Sequence, residues 1–354
     1  MATVFEGAIG RLRIGEPELF VDNRARFRSG HMSHAMTEYR PGKIIAFNSN
    51  CSPVRVGGHA AFGWIEYRFS DDWGETWSEP RDLPLSRQLF FDGVYTISIE
   101  RAVVTNGIIT LFVLRNTQYA PICCQPWDTP QIIRSFDGGE TWSEPYEMSP
   151  WKGRVYDAVT RDGVIYAMEF CNDNFVGKTE EHLYRLYRSG DDGASFEEVG
   201  VIDLAHIGYA YGALQFLADG TLAAYSDCIA DGRLLSVSVS GDLGATWRRL
   251  PELRMAEGMR NVQIGRLGNG YVMHGRAWHP GDSTGAGFVV YTSRDGLYWD
   301  EGIMLEKHKL LCYYSNNLNL KLPDGRERLL VQYSDRYDEA APRVNVMHRF
   351  MELE

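Results

Sequence analysis

A turn sequence that recurs five times constrains this chain more than any other feature. It reads Ser70-Asp-Asp-Trp-Gly-Glu-Thr-Trp77, Ser135-Phe-Asp-Gly-Gly-Glu-Thr-Trp142, Ser189-Gly-Asp-Asp-Gly-Ala-Ser-Phe196 and Ser240-Gly-Asp-Leu-Gly-Ala-Thr-Trp247. A fifth copy, Ser293-Arg-Asp-Gly-Leu-Tyr-Trp299, is one residue shorter. The leading serines stand 65, 54, 51 and 53 residues apart, and such a period marks a stacked or radial repeat architecture. Within each copy the Asp side chain can accept backbone N–H bonds of its own turn, while Gly supplies a backbone angle other residues resist. The closing aromatic is then free to plug between neighbouring sheets. The element reads as a hairpin clasp with a structural role.

Between the clasps runs a second repeat, in which a short β-run, a Gly turn and another β-run follow one another. It occurs at 34–47, 101–114, 157–170, 211–225, 261–275 and 316–333, and further strand-like sequence follows each copy. Six units of about four strands predict an all-β chain, a six-bladed β-propeller that closes on itself and leaves few sheet edges exposed. The sixth unit has no clasp, so a strand around 3–14 is expected to complete its sheet. Residues 1–354 are read as a single domain.

The composition narrows the choice of partners. With 36 Lys+Arg against 47 Asp+Glu the net charge is −11, whereas nucleic acid calls for a cationic face. No apolar run approaches the roughly 18 residues of a membrane span. The first 20 residues lack an apolar stretch behind a basic start, so a cytoplasmic protein without a leader is expected. Cysteines 51, 123, 124, 171, 228 and 312 form neither a CxxC pair nor zinc-type spacing and are read as free thiols. No metal and no cofactor is expected. The oligomeric state stays open.

The clasp resembles the Asp-box (BNR) repeat, and from end to end the chain resembles the sialidase superfamily of six-bladed propellers. In such a ring the innermost strands line the axis. Aligning the six hairpins on their glycines brings Ser33/His34, Arg101, Asp157, Tyr211, Asn261 and Asn316 to one level, preceded by His31, Glu100, Tyr156, Tyr209, Arg260 and Tyr313-Tyr314. An unpaired buried polar group costs about 1–3 kcal/mol, so six polar or aromatic residues at one level point to a wet, ligand-binding funnel.

The resemblance implies three arginines around a substrate carboxylate, a tyrosine nucleophile activated by a glutamate, and a loop aspartate as acid/base. Tyr314, in a Tyr-Ser segment ahead of a Pro-Asp-Gly turn, matches the family's nucleophile. Elsewhere the pattern departs. The stretch His31-Met32-Ser33-His34 stands where the first arginine belongs, and His59 stands at the acid/base loop. The glutamate's place falls near Tyr211, and the second arginine's place falls near Asp227. Arg260 or Arg276 can supply one guanidinium. These departures point to a sialidase-like glycoside hydrolase acting on a glycan or small glycoside other than ordinary sialic acid.

Other chemistries fit the same residues. A two-carboxylate glycosidase would use Glu169 and Asp227 with Asp157 beside them. A uronate lyase would take His31, His34 or His59 as base and Tyr211 or Tyr314 as acid, with Arg101 or Arg260 against the sugar carboxylate. A carbohydrate-binding propeller without catalysis would stack sugars on Tyr119, Trp127, Trp151 or Trp278. The candidate catalytic set is therefore Tyr314, His34, Asp157, Glu169, Tyr211 and Asp227. The candidate substrate contacts are His31, His59, Arg101, Tyr156, Arg260, Asn261, Arg276 and Asn316.

Overall fold

The six glycine-turn hairpins each become the two inner strands of a separate antiparallel sheet. A computed structural model describes residues 2–30, 34–54, 62–119, 126–277, 286–309, 312–338 and 343–354. Blade 1 runs outward through His34–Arg40, Lys43–Cys51, Gly63–Ser70 and Arg81–Asp82, and blade 2 through Tyr95–Thr105, Ile108–Thr117, Gln131–Ser135 and Tyr146–Glu147. Blade 3 starts at Gly153–Arg161, blade 4 at Tyr209–Phe216, blade 5 at Arg260–Leu267 and blade 6 at Ser315–Lys321. Each innermost strand packs against the next, and the sixth returns to the first, so the sheets form a closed six-bladed propeller.

Apolar alternation in the blades fills the wedges between them. Ile45, Phe47, Ile99, Leu111 and Val113 form one fully buried cluster between blades 1 and 2. Met168, Phe170, Leu214 and Ala224 form another between blades 3 and 4.

The five clasps fasten these wedges. In the first, Gly74 N–H donates to Ser70 Oγ at 2.8 Å, Thr76 N–H donates to Asp72 Oδ1 at 2.9 Å, and the Thr76 hydroxyl donates to Asp72 Oδ2 at 2.6 Å. The same pattern recurs at Ser135/Asp137, Ser189/Asp191 and Ser240/Asp242, with a shortened version at Ser293/Asp295. Consecutive left-handed residues such as Leu243 (φ 59°) and Gly244 (φ 94°) make the turn tight enough for this. The closing aromatics Trp77, Trp142, Phe196, Trp247 and Trp299 each pack into the wedge shared with the preceding blade.

Blade 6 lacks a clasp and is finished from the other end of the chain. The expected N-terminal strand is a hairpin, Thr3–Gly7 and Gly10–Ile14, whose second arm pairs with Val344–Leu353. Its Phe5 and Ile9 fill the wedge between blades 5 and 6 as the clasp aromatics do elsewhere.

One helix, Pro84–Phe91, appears among the described residues where only strands were expected; a proline in its first turn suits a helix start. No helix among the described residues is long and apolar enough to cross a membrane. Cys51, Cys171, Cys228 and Cys312 are buried, while Cys123 and Cys124 lie outside the described residues.

Candidate active site

A repeated irregularity builds the axial site. In blades 2, 3, 4 and 5 the register of the two inner strands slips at the same depth, between Ile99 and Arg101, Val155 and Asp157, Tyr209 and Gly212, and Arg260 and Gln263. Each slip is a β-bulge, which re-aims side chains that a regular pleat would send elsewhere. The residues inside the bulges include Glu100, Tyr156, Tyr211 and Asn261, and all four line one recess at the axis. Blade 1 adds His34, blade 3 adds Arg154 and blade 6 adds Tyr314. The recess measures about 410 Å³ counted out to open solvent.

Its floor is a cation. Arg101 donates to Glu100 O at 3.0 Å, to Asp157 Oδ1 at 2.8 Å and to Gln263 Oε1 at 2.8 Å, so its guanidinium reaches from blade 2 to blade 5 across the axis. Beyond it lies a second, open polar cavity of about 1340 Å³ counted out to open solvent, lined in part by Asp157 and Asn316. The glycine alignment thus placed Arg101, Asp157 and Asn316 correctly on the axis, but Asp157 and Asn316 face the far cavity. Asp157 is spent on Arg101 and on Leu214 N–H at 2.8 Å, and the Asn316 amide donates to His34 O at 2.8 Å.

The wall of the recess is aromatic and cationic. Arg276 Nη1 donates to the Tyr314 hydroxyl at 2.8 Å, and its guanidinium lies 4.6 Å from the Tyr314 ring centroid. Tyr211 has Arg154 and Arg260 each 6.0 Å from its ring centroid. Burial, and next the neighbouring Tyr314, pushes the Tyr211 phenol up to about 12 against the pull of three arginines. Tyr211 is therefore a neutral O–H donor at physiological pH. Burial likewise drives the Tyr156 phenol well above the ordinary tyrosine value.

Glu100, one of the residues aligned at the axis, is paired with Arg154, a pairing that the sequence did not bring out. The guanidinium grips the carboxylate with two bonds of 2.9 Å, and both side chains are almost fully buried. Arg154 also lies 5.0 Å from the Trp127 ring centroid, so Trp127 is a core residue instead of an exposed sugar platform. The available signal was an Arg two residues ahead of an axial Tyr, the spacing that shares one face of a strand.

The three carboxylates expected to cooperate do not meet. Glu169 alternates with Ala167 on the face toward blade 2 and lies in that wedge, fully buried. Burial pushes its carboxyl up to about 8, opposed by Ser149 and by Arg185, which is itself paired with Glu198 at 2.5 Å. Asp227 lies fully buried behind Asn261 and accepts its N–H at 3.1 Å. His31 and His59 lie outside the described residues. His274, fully buried, is locked between Ser315 Oγ at 2.9 Å and the Asn317 amide at 3.0 Å. Burial, with Arg101 nearby, drops its pKa to about 3.

No protein-family model and no curated sequence matches the chain. Solved structures do. A protein of unknown function from Dyadobacter fermentans superposes with a TM-score of 0.74 at 16% identity, over 97% of this chain and 99% of its own. The phage phi92 endosialidase gives 0.71 at 10% identity, over 100% and 72%. A Hadza microbial sialidase gives 0.69 at 15% identity, over 94% and 68%. The chain thus shares the six-bladed β-propeller fold of these sialidases.

Proposed function

We propose that this protein is a glycoside hydrolase for a carboxylate-bearing sugar, with Tyr314 as nucleophile. The contact between Arg276 and the Tyr314 hydroxyl, inside a recess walled by tyrosines, carries the proposal. The guanidinium holds the phenol oxygen in place in the recess, and the same cation can face a sugar carboxylate. In this reading Tyr314 Oη gives up its proton to solvent, attacks the anomeric carbon and forms a glycosyl-tyrosine bond as the glycosidic C–O bond breaks. The Tyr211 phenol gives its proton to the leaving oxygen. Water then hydrolyses the intermediate, returning a proton to Tyr211. His34, Tyr156 and Asn261 contact the sugar, and Arg260 adds positive potential behind the wall.

A second reading has one observation in its favour. Among the described residues no carboxylate hydrogen-bonds the Tyr314 hydroxyl, whereas His34 lines the same recess. That combination fits β-elimination from a uronate, His34 or Tyr314 removing the proton α to the carboxylate. A panel of aryl glycosides of acidic and neutral sugars, together with uronate oligosaccharides, separates the two. Release of aryl alcohol from acidic glycosides supports the hydrolase. A new ultraviolet absorbance from a C4–C5 double bond supports the lyase. Turnover confined to neutral sugars would overturn both.

A further inference from the structure

Asn261 adopts φ 56°, a left-handed conformation uncommon for a residue with a side chain, at the edge of the recess. It is 6% exposed, and its amide oxygen is buried with no hydrogen-bond partner. Strain and an unsatisfied acceptor persist only where surrounding structure enforces them. The enforcing group is on the preceding blade. Asp227 reaches across from blade 4, accepts the Asn261 N–H at 3.1 Å and bonds the Val262 backbone, the two residues of the blade 5 bulge. Its other oxygen makes no hydrogen bond and lies 3.8 Å from Arg260 Nε.

We propose that Asp227 is a positioning residue for the axial recess: it clamps the bulge that aims Asn261 inward, and its charge balances Arg260 behind the Tyr211 and Tyr314 rings. The consequence for a carboxylated ligand rests on the function proposed above. The charged and titratable groups facing Asp227 are Arg260 and Arg276 from blade 5 and Tyr184 from blade 3. Burial raises the carboxyl to about 7, with Arg260 working against it. A protonated Asp227 leaves more of the Arg260 charge for the recess, so an anionic sugar favours that state and its binding takes up a proton. Affinity then falls as pH rises through neutrality. Asp227→Asn retains an acceptor oxygen but not the charge, so it separates the clamp from the charge.

Two measurements on the full chain test this. Amide resonances of Asn261 and Val262, followed by NMR without ligand, should titrate with a neutral midpoint in wild type and stay flat in Asp227→Asn. Flat resonances in wild type would overturn the proposal whatever the ligand result. Calorimetry with sodium glucuronate and sodium N-acetylneuraminate, in buffers of different ionisation enthalpy, should show proton uptake. Wild-type affinity should fall about fivefold or more between roughly pH 6 and pH 8, a coupling of ordinary size that Asp227→Asn should lose. Titrating amides with no binding of either sugar would uphold the clamp and count against the acidic-sugar function instead. A pH dependence unchanged in Asp227→Asn would overturn the role given to its charge.

Discussion

The clasps at the rim and the recess at the axis solve opposite problems with the same backbone. In a clasp the Asp carboxylate finds its partners within a few residues, as Asp137 does with Ser135 and Thr141, and it can remain exposed. At the axis the partners come from other blades. Arg101 binds Asp157 and Gln263, Arg154 binds Glu100, and Asp227 holds Asn261. Local satisfaction can be copied, so the clasp repeats. Satisfaction between blades cannot, so each blade brings a different residue to the recess. In this propeller, repetition marks the scaffold and its breakdown marks the chemistry.

The sharpest break in that contrast is expected from Tyr314→Phe. Loss of the nucleophilic oxygen should cut turnover about a thousandfold while leaving the melting temperature close to wild type. Near-wild-type kinetics on the best glycoside would remove Tyr314 from the mechanism. Trp142→Ala should do the reverse. Emptying its place between blades 1 and 2 should cost about 3 kcal/mol in denaturant unfolding, with turnover per folded molecule retained.

Glu169→Gln probes a buried group outside the recess. The folded chain holds this carboxyl's proton up to about pH 8, well above an unfolded glutamate, so folding takes up a proton between those values. Stability contributed by the protonated form is full below the unfolded value and is lost as pH rises toward 8. The Gln variant should therefore gain on the order of 5 kcal/mol relative to wild type above pH 8 and nothing near pH 4. A pH-independent difference in unfolding free energy would show that Glu169 does not titrate as its burial demands.

The smallest effect belongs to the clasps. Hydrogen bonds from Thr141 and Thr246 hold Asp137 and Asp242 down at about 2. Asp191 also lies at about 2, its slight burial outweighed by the bonds from Ser195. Depressed carboxylates stabilise the fold above the unfolded value near 4, and that contribution is lost as pH falls toward 2. An Asp137→Asn chain should lose part of this acid sensitivity in a thermal melt series between those limits, with turnover at neutral pH unchanged. An identical acid profile would detach the clasp from acid stability.

The propeller was legible because its determinants are local. Serine spacing, turn glycines and strand alternation are read directly along the chain, and the missing sixth clasp correctly directed the N-terminus to blade 6. The site was half legible. Tyr314 stood out through its Tyr-Ser segment, and His34, Tyr156, Tyr211 and Asn261 through the glycine alignment. Bulges then advanced the register by a residue at recess depth, which left Asp157 below the floor and brought Glu100 in, while Asn316 lies below the floor on the unbulged blade 6. Glu169 and Asp227 occupy corresponding strand ends, but Glu169 faces blade 2 and Asp227 faces blade 5. No alignment of hairpins reports which wedge a side chain enters, since that depends on pleat parity and bulges together.

The most direct test of the central claim is covalent trapping. The chain would be incubated with a fluorinated acidic glycosyl fluoride built on the best sugar from the glycoside panel, and its intact mass and peptide map read. One added sugar per chain is expected, carried by the peptide containing Tyr314 and absent in Tyr314→Phe. Turnover of the parent glycoside with no adduct, or an adduct on any other residue, would contradict it.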